Sequence, residues 1–222
     1  MTPAAKTMKQ LAAMLAIGLT LRFVLSKLGW HPPSFLGSRE FPSLVLWIIF
    51  GIWWGIAGLN SAPTEKSESS VSTYLHKFML VAAFMLLLLP FPGLTGRFLP
   101  PQLPVVVAAG VIVQAGFLLL AIWARKHLGR NWSAEVRIAV DHQLVRTGPY
   151  RLLRHPIYTA MLGMFLGTAI ASGQSHALLG VALLIVAYLR KTRLEDQILA
   201  RKFGAEYDSY RRDTWALVPL FF

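Results

Sequence analysis

Hydrophobic and polar positions along this chain fall into long blocks. Mostly apolar runs fill residues 10–29, 43–60, 77–93 and 103–124. A helix crosses the hydrocarbon core of a bilayer with about 20 such residues, within a range of roughly 17–25. Each run therefore predicts a membrane span. In the first, Arg22 lies near enough to the far end to snorkel. After a polar stretch come two shorter runs, 156–172 and 176–190, meeting at Ser-Gly-Gln-Ser-His. They predict a tight helical hairpin. Residues 192–212 are polar and charged and predict a helix outside the membrane. The pattern is that of an all-α, polytopic helical membrane protein of about six spans, with a short C-terminal helical hairpin and a cytoplasmic C-terminal helix.

Between these blocks, residues 60–73 (NSAPTEKSESSVST) read as a flexible connection. The alternation in VRIAV (136–140) permits a short extended segment. Neither an internal repeat nor a coiled-coil heptad is evident. The first four spans hold no Asp, Glu or His, so an ion-coupled pathway through them is poorly supported.

Composition agrees. Hydrophobic residues make up 55% of the 222 and charged ones 14%, where soluble domains carry about 25% charged. The formal charge of +12 does not indicate nucleic acid, because its distribution follows the positive-inside rule. Arg125, Lys126, Arg130, Arg137, Arg146, Arg151 and Arg154 crowd one polar stretch, and Arg190, Lys191, Arg193, Arg201, Lys202, Arg211 and Arg212 the other. The hairpin tip between them has neither Lys nor Arg. Both basic stretches are expected in the cytoplasm, and both termini with them, in agreement with Lys6 and Lys9. The N-terminal run continues towards Trp30 without a convincing small-x-small cleavage site and is read as a retained span. A cell inner membrane or an endoplasmic-reticulum-like membrane is the expected location. There is no cysteine, which excludes disulfides and thiolate catalysis.

Polar chemistry gathers after residue 124. In GPYRLLRHPIY (148–158), Gly148-Pro149 reads as a turn. Pro156 suits the first position of a helix, which leaves His155 just outside the helix N-terminus and Tyr158 within its first turn. Interfacial anchoring explains Tyr150 and Tyr158 equally well, but it accounts less well for His155 between Arg154 and Pro156. In the stretch 190–212, ordinary i,i+4 ion pairs such as Lys191 with Glu195 compete with a functional role. Glu195 stands out because anionic lipid does not favour a carboxylate at the membrane surface. A positively charged ligand would explain it. His127, His142 and His155 lack metal-ligand spacing, so no metal is expected. No glycine-rich phosphate loop precedes a helix.

LVRTGPYRLLRHPIY, followed by RLEDQILARKFGAEYDSYRRDTWALVP, resembles the isoprenylcysteine carboxyl methyltransferase family, which is related to the phosphatidylethanolamine N-methyltransferases. The resemblance covers roughly residues 125–222. It implies an integral membrane methyltransferase that uses S-adenosylmethionine. The implied cofactor contacts are His142, Gln143, Leu144, Val145, Tyr150, His155, Pro156, Ile157, Tyr158 and Glu195, with Glu135 a further polar contact. The substrate-side Arg of the family lies four residues before the Glu. That position is Lys191 here, with Arg190 and Arg193 as neighbours. Lys lacks the planar bidentate fork of Arg, so the departure bears on whether the acceptor is a carboxylate. The resemblance further implies that residues 1–124 give a lipophilic or lipid acceptor access from the bilayer, and that residues 125–222 form the catalytic region. Trp53, Trp54 and Met85 read as packing residues more than as cavity lining. An NADPH-dependent membrane reductase of the sterol C14-reductase type shares a C-terminal Arg-His pair and a Tyr-rich last helix. The Pro after His155 and the FGAEYDSY run favour the methyltransferase.

Overall fold

The computed structural model describes residues 41–58, 64–66, 69–89, 93–94, 96–100, 103–129, 137–139 and 144–219. The expected first span, 10–29, lies outside them. The chain forms two compact units, residues 1–60 and 61–222. The described part of the first is helix α1, Phe41–Gly58, where Trp54 stacks on Phe50 with ring centroids 4.9 Å apart.

The second unit contains α2 (Ser70–Leu88), α3 (Pro104–Leu128), α4 (Pro156–Ser172), α5 (Ser175–Phe203) and α6 (Ala205–Arg212). Two three-residue strands, β1 (Thr64–Lys66) and β2 (Arg137–Ala139), pair antiparallel. β2 is the extended segment expected in VRIAV, and β1 lies within the stretch expected to be a flexible connection. Three described helices, α1, α2 and α3, are long and apolar enough to cross a membrane, and α4 is a shorter apolar helix. On α3, Val105, Ile112 and Leu119 recur every seventh residue and are each about two-thirds exposed. In water such a stripe would be costly, and against lipid it is the expected surface. This is an integral membrane protein.

Packing on the other side of α3 depends on small residues, as is usual where helices associate without a hydrophobic driving force. A Cβ added at Gly110 would meet Gly167 O at 2.5 Å, and one at Gly167 would meet Gln114 N at 2.6 Å. The Phe117 ring fills the space over Gly163. These glycines let α3 and α4 touch backbone to backbone. Gly180 does the same for α5 against α2, where an added Cβ would lie 2.8 Å from Ala83 O. At the hairpin tip Gly173 takes φ +64, and its carbonyl accepts from Phe98 N at 3.0 Å.

Two expected boundaries move. The third apolar run was expected to begin a span at residue 77, but α2 begins at Ser70. The Ser69 side chain caps it by accepting from Ser72 N at 3.2 Å, so a polar first turn is stabilised as helix. His76 is thereby drawn inside this membrane-capable helix and buried, which revises the reading of the early spans as free of His. The last apolar run and the charged helix after it, expected as separate elements at 176–190 and 192–212, are one helix of 29 residues. Leu, Lys, Arg, Glu and Gln are all good helix formers, and a change from apolar to charged side chains does not interrupt backbone hydrogen bonding. The helix ends only at Gly204, which takes φ +54 before α6.

Candidate functional site

The site is assembled where the polar ends of α4 and α5 meet. Pro156 opens α4, as its sequence position requires, and His155 precedes it with φ −126. Before it, Gly148–Arg151 forms a short 3-10 turn. Gly148 has φ +58, and a Cβ there would lie 2.4 Å from the His127 ring, so both conformation and space select glycine. The chain's last described segment then lies alongside residues 152–155. Trp215 N donates to Leu152 O at 3.0 Å, Arg154 N to Trp215 O at 2.8 Å, and His155 N to Ala216 O at 3.1 Å. The Thr159 hydroxyl donates to Leu217 O at 2.5 Å. Tyr210 OH donates to Tyr150 O at 2.7 Å. This strap fixes His155 in place.

His155 is buried between two carboxylates. Its Nδ1 lies 3.2 Å from Glu195 Oε2, and its Nε2 lies 2.8 Å from Asp196 Oδ1. A neutral imidazole has one N–H and would turn a lone pair toward one of these acids. Only the imidazolium donates to both. Burial opposes the charge, but the hydrogen bonds and charges of Asp196 and Glu195 outweigh it and push the pKa of His155 up to about 9. Asp196 responds in the opposite sense: burial alone would raise it, and His155, Tyr207 and Arg154 hold it below the usual carboxylate range. Tyr207 OH donates to Asp196 Oδ1, and Arg154 Nε lies 3.7 Å from Asp196 Oδ2. On the other side, Tyr158 OH donates to Glu195 Oε1 at 2.5 Å. Tyr158 is stacked between His155 and Tyr188, with ring centroids 5.7 Å and 4.5 Å away. Beyond Tyr188 lies the His76 ring, at 5.8 Å.

His155, Tyr158 and Glu195, singled out in the sequence, are thus in direct contact. Pro156 and Ile157 are buried at the same helix start. Tyr150 is buried under Tyr210 in the strap, and burial holds its hydroxyl well above the ordinary tyrosine range. Leu144 and Val145 are partly exposed on the way into the turn. Glu135, His142 and Gln143 lie outside the described residues. Lys191 is four residues from Glu195, about 40° around the helix, and is buried at 2% exposure. Arg190 and Arg193 are about 140° and 160° from Glu195 on the same reckoning, so the structure does not bring them to this cluster. At the start of α4, Tyr158 N and Thr159 N donate to His155 O, and His155 N to Ala216 O. Sequence reasoning missed Asp196 and Tyr207 as partners of His155, and Tyr188 as the next ring in the stack. Asp196 and Tyr207 lie inside quoted motifs, and their contacts depend on the fold. Tyr188, within an apolar run, gives no signal at all. Among the described residues no group of three or more His, Asp or Glu is arranged to hold a metal ion.

Residues 105–206 match the family model described as phospholipid methyltransferase. Among particular relatives, the chain is 37% identical over 95 residues to the nickel-cobalt-cadmium resistance protein NccN of Alcaligenes xylosoxydans xylosoxydans, covering 41% of this chain and 44% of that one. It is 29% identical over 94 residues to a probable protein-S-isoprenylcysteine O-methyltransferase of Oryza sativa subsp. indica, covering 41% of this chain and 49% of that one. The matched stretch thus spans about half the length of these relatives or less. A solved structure of the eukaryotic intramembrane Ras methyltransferase, isoprenylcysteine carboxyl methyltransferase, aligns with 81% of this chain and 68% of its own at 18% identity and a TM-score of 0.48.

Proposed function

We propose that this protein is an integral membrane methyltransferase that uses S-adenosylmethionine and acts on a lipophilic or lipid acceptor. The observation that carries this reading is the convergence of Glu195 with His155 and Tyr158. Two stretches of sequence, 37 residues apart, meet in a part-buried polar cluster where α4 and α5 come together. The family match over residues 105–206 favours methyl transfer over the reductase reading.

The donor set fits this cofactor. Glu195 and Asp196 are anionic acceptors suited to a ligand's ammonium or sulfonium, and the stacked rings of Tyr158 and Tyr188 offer aromatic faces to a cation or an adenine. In the structure His155 answers both acids. Binding of a cationic group at Glu195 would replace part of what His155 and Tyr158 now supply, while Asp196 and Tyr207 keep His155 oriented. When bound, the cofactor supplies an activated methyl group. Leu144, Val145, Tyr150 and Ile157 contribute walls near the turn, with Glu135, His142 and Gln143 completing the proposed contacts. Lys191, on the Glu195 side of α5, is the proposed substrate-side cation. In-line methyl transfer depends mainly on positioning and requires no nucleophile–base pair on the protein. The acceptor would reach the site from the bilayer, and the cofactor from the cytoplasm.

Calorimetric titration of the purified chain with S-adenosylhomocysteine tests the reading. Saturable binding that is lost in Glu195→Gln and weakened in His155→Ala is expected. A folded wild-type protein that does not bind overturns it. Mass spectrometry of membrane lipid extract incubated with labelled cofactor and protein would then identify the methylated acceptor.

A further inference from the structure

The face of α5 that points away from Glu195 carries its own cavity. Val186, Leu189, Arg190, Arg193, Leu194 and Gln197 line a space of about 420 Å³. These positions form one stripe along α5 with a graded chemistry. Val186 and Leu189 lie toward the apolar part of the helix, the two arginines in the middle, and Gln197 at the polar end. At a rise of 1.5 Å per residue the stripe runs for about 16 Å. Arg190 is held in place: its guanidinium donates to the Ser72 hydroxyl and reaches Ser72 O at 3.5 Å. Arg193 is exposed, and no ion pair engages it among the described residues.

An apolar end, a paired guanidinium centre and a polar end match, in order, the parts of an anionic amphiphile. We infer that this groove binds an anionic phospholipid. Its phosphate lies at Arg190 and Arg193 and its chain along Val186 and Leu189. Arg favours phosphate through its planar array of donors, and Ser72 keeps one guanidinium pre-oriented so that less freedom is lost on binding. The groove faces away from Glu195, so the lipid held here is not the methyl acceptor. The inference stands apart from the reading of the His155 cluster.

Native mass spectrometry of the full chain, titrated with phosphatidylglycerol, phosphatidylcholine or inorganic phosphate, tests it. Wild type should retain phosphatidylglycerol in preference to phosphatidylcholine, and inorganic phosphate should not displace it. An arginine beside an anionic lipid surface is worth about fivefold in affinity, corresponding to about 1 kcal/mol. Arg193→Gln, which leaves the Arg190–Ser72 contact intact, should therefore lower the preference about fivefold, and R190Q/R193Q about 25-fold. R211Q/R212Q, which changes two exposed arginines on α6, should leave it unchanged. Four outcomes overturn the proposal: no preference for the anionic lipid, a preference that survives in R193Q, an equal loss in R211Q/R212Q, or displacement by inorganic phosphate, which would mark a free-anion site. Binding of S-adenosylhomocysteine by R193Q should equal that of wild type, which separates failure here from failure of the methyltransferase reading.

Discussion

Asp196 Oδ1 lies 2.8 Å from Nε2 of His155, 41 residues away in sequence, and the same carboxylate group takes the hydroxyl of Tyr207 and faces Arg154. Asp196 is thus the residue that orients the imidazole, while Glu195 meets its other nitrogen. Two adjacent acids divide the work, because His155 sits where both side chains reach it.

Replacing Asp196 by Asn should separate these roles. Burial then opposes the imidazolium with only Glu195 to support it, so the His155 pKa should fall by about one unit or more. Histidine NMR of selectively labelled protein would report this. If the pKa stays near that of the wild type, Asp196 is not the controlling partner.

The same cluster sets a pH dependence of stability. The folded pKa of His155, about 9, is raised above its ordinary value of 6.5. Its contribution to stability is therefore fully present below pH 6.5 and is lost as pH rises through about 9. Asp196 has a lowered pKa, so its contribution is present above the ordinary carboxylate range and is lost on acidification below it. Thermal melting in detergent should show an alkaline decline near pH 9 that is absent in His155→Asn. Superimposable alkaline limbs for the two proteins would contradict this.

Gly167 should not tolerate a side chain. A Cβ there meets the backbone of Gly110 at 2.6 Å and that of Gln114 at 2.6 Å. Backbone cannot move aside as a flexible side chain does. Overpacking of this kind costs about 1–3 kcal/mol and more when helices must part. Gly167→Leu should lower the midpoint of thermal unfolding strongly, whereas Gly116→Ala, which meets nothing within 4 Å, should leave it near that of wild type.

The C-terminal strap should contribute measurably. Tyr210→Phe removes the bond to Tyr150 O, and Thr159→Val removes the bond to Leu217 O. Each leaves a part-buried or buried carbonyl without that donor and should cost about 1–3 kcal/mol. Hydrogen exchange should rise at Arg154 and His155, whose N–H groups donate to Trp215 O and Ala216 O. Unchanged protection there would mean that the strap holds through its backbone bonds alone.

By itself the sequence determined the material of this protein. Long apolar runs cannot be satisfied in water, and their lengths match a bilayer, so helices at 41–58, 104–128 and 156–172 were legible within a few residues. Pro156 announced the start of α4, because a proline lacks the N–H that a first helical residue does not use. Residue type and motif singled out His155, Tyr158 and Glu195, which the structure brings into contact. Element ends were less so. The unbroken α5 was hidden because hydropathy changes along it while helix propensity does not, and Ser69 extended α2 through a capping bond that composition does not advertise.

Tertiary structure alone decided which groups meet. Helical phase turned Arg190 and Arg193 away from Glu195 although they are its near neighbours in sequence. The strap brought residues 215–217 against 152–155, and with them Asp196 and Tyr207 against His155. Small residues such as Gly110 and Gly167 set how closely the helices approach. The reason is the same in each case. Periodicity and propensity act over a few residues, whereas contacts across 37 to 60 positions depend on how helices pack, and that is fixed only when the whole bundle closes.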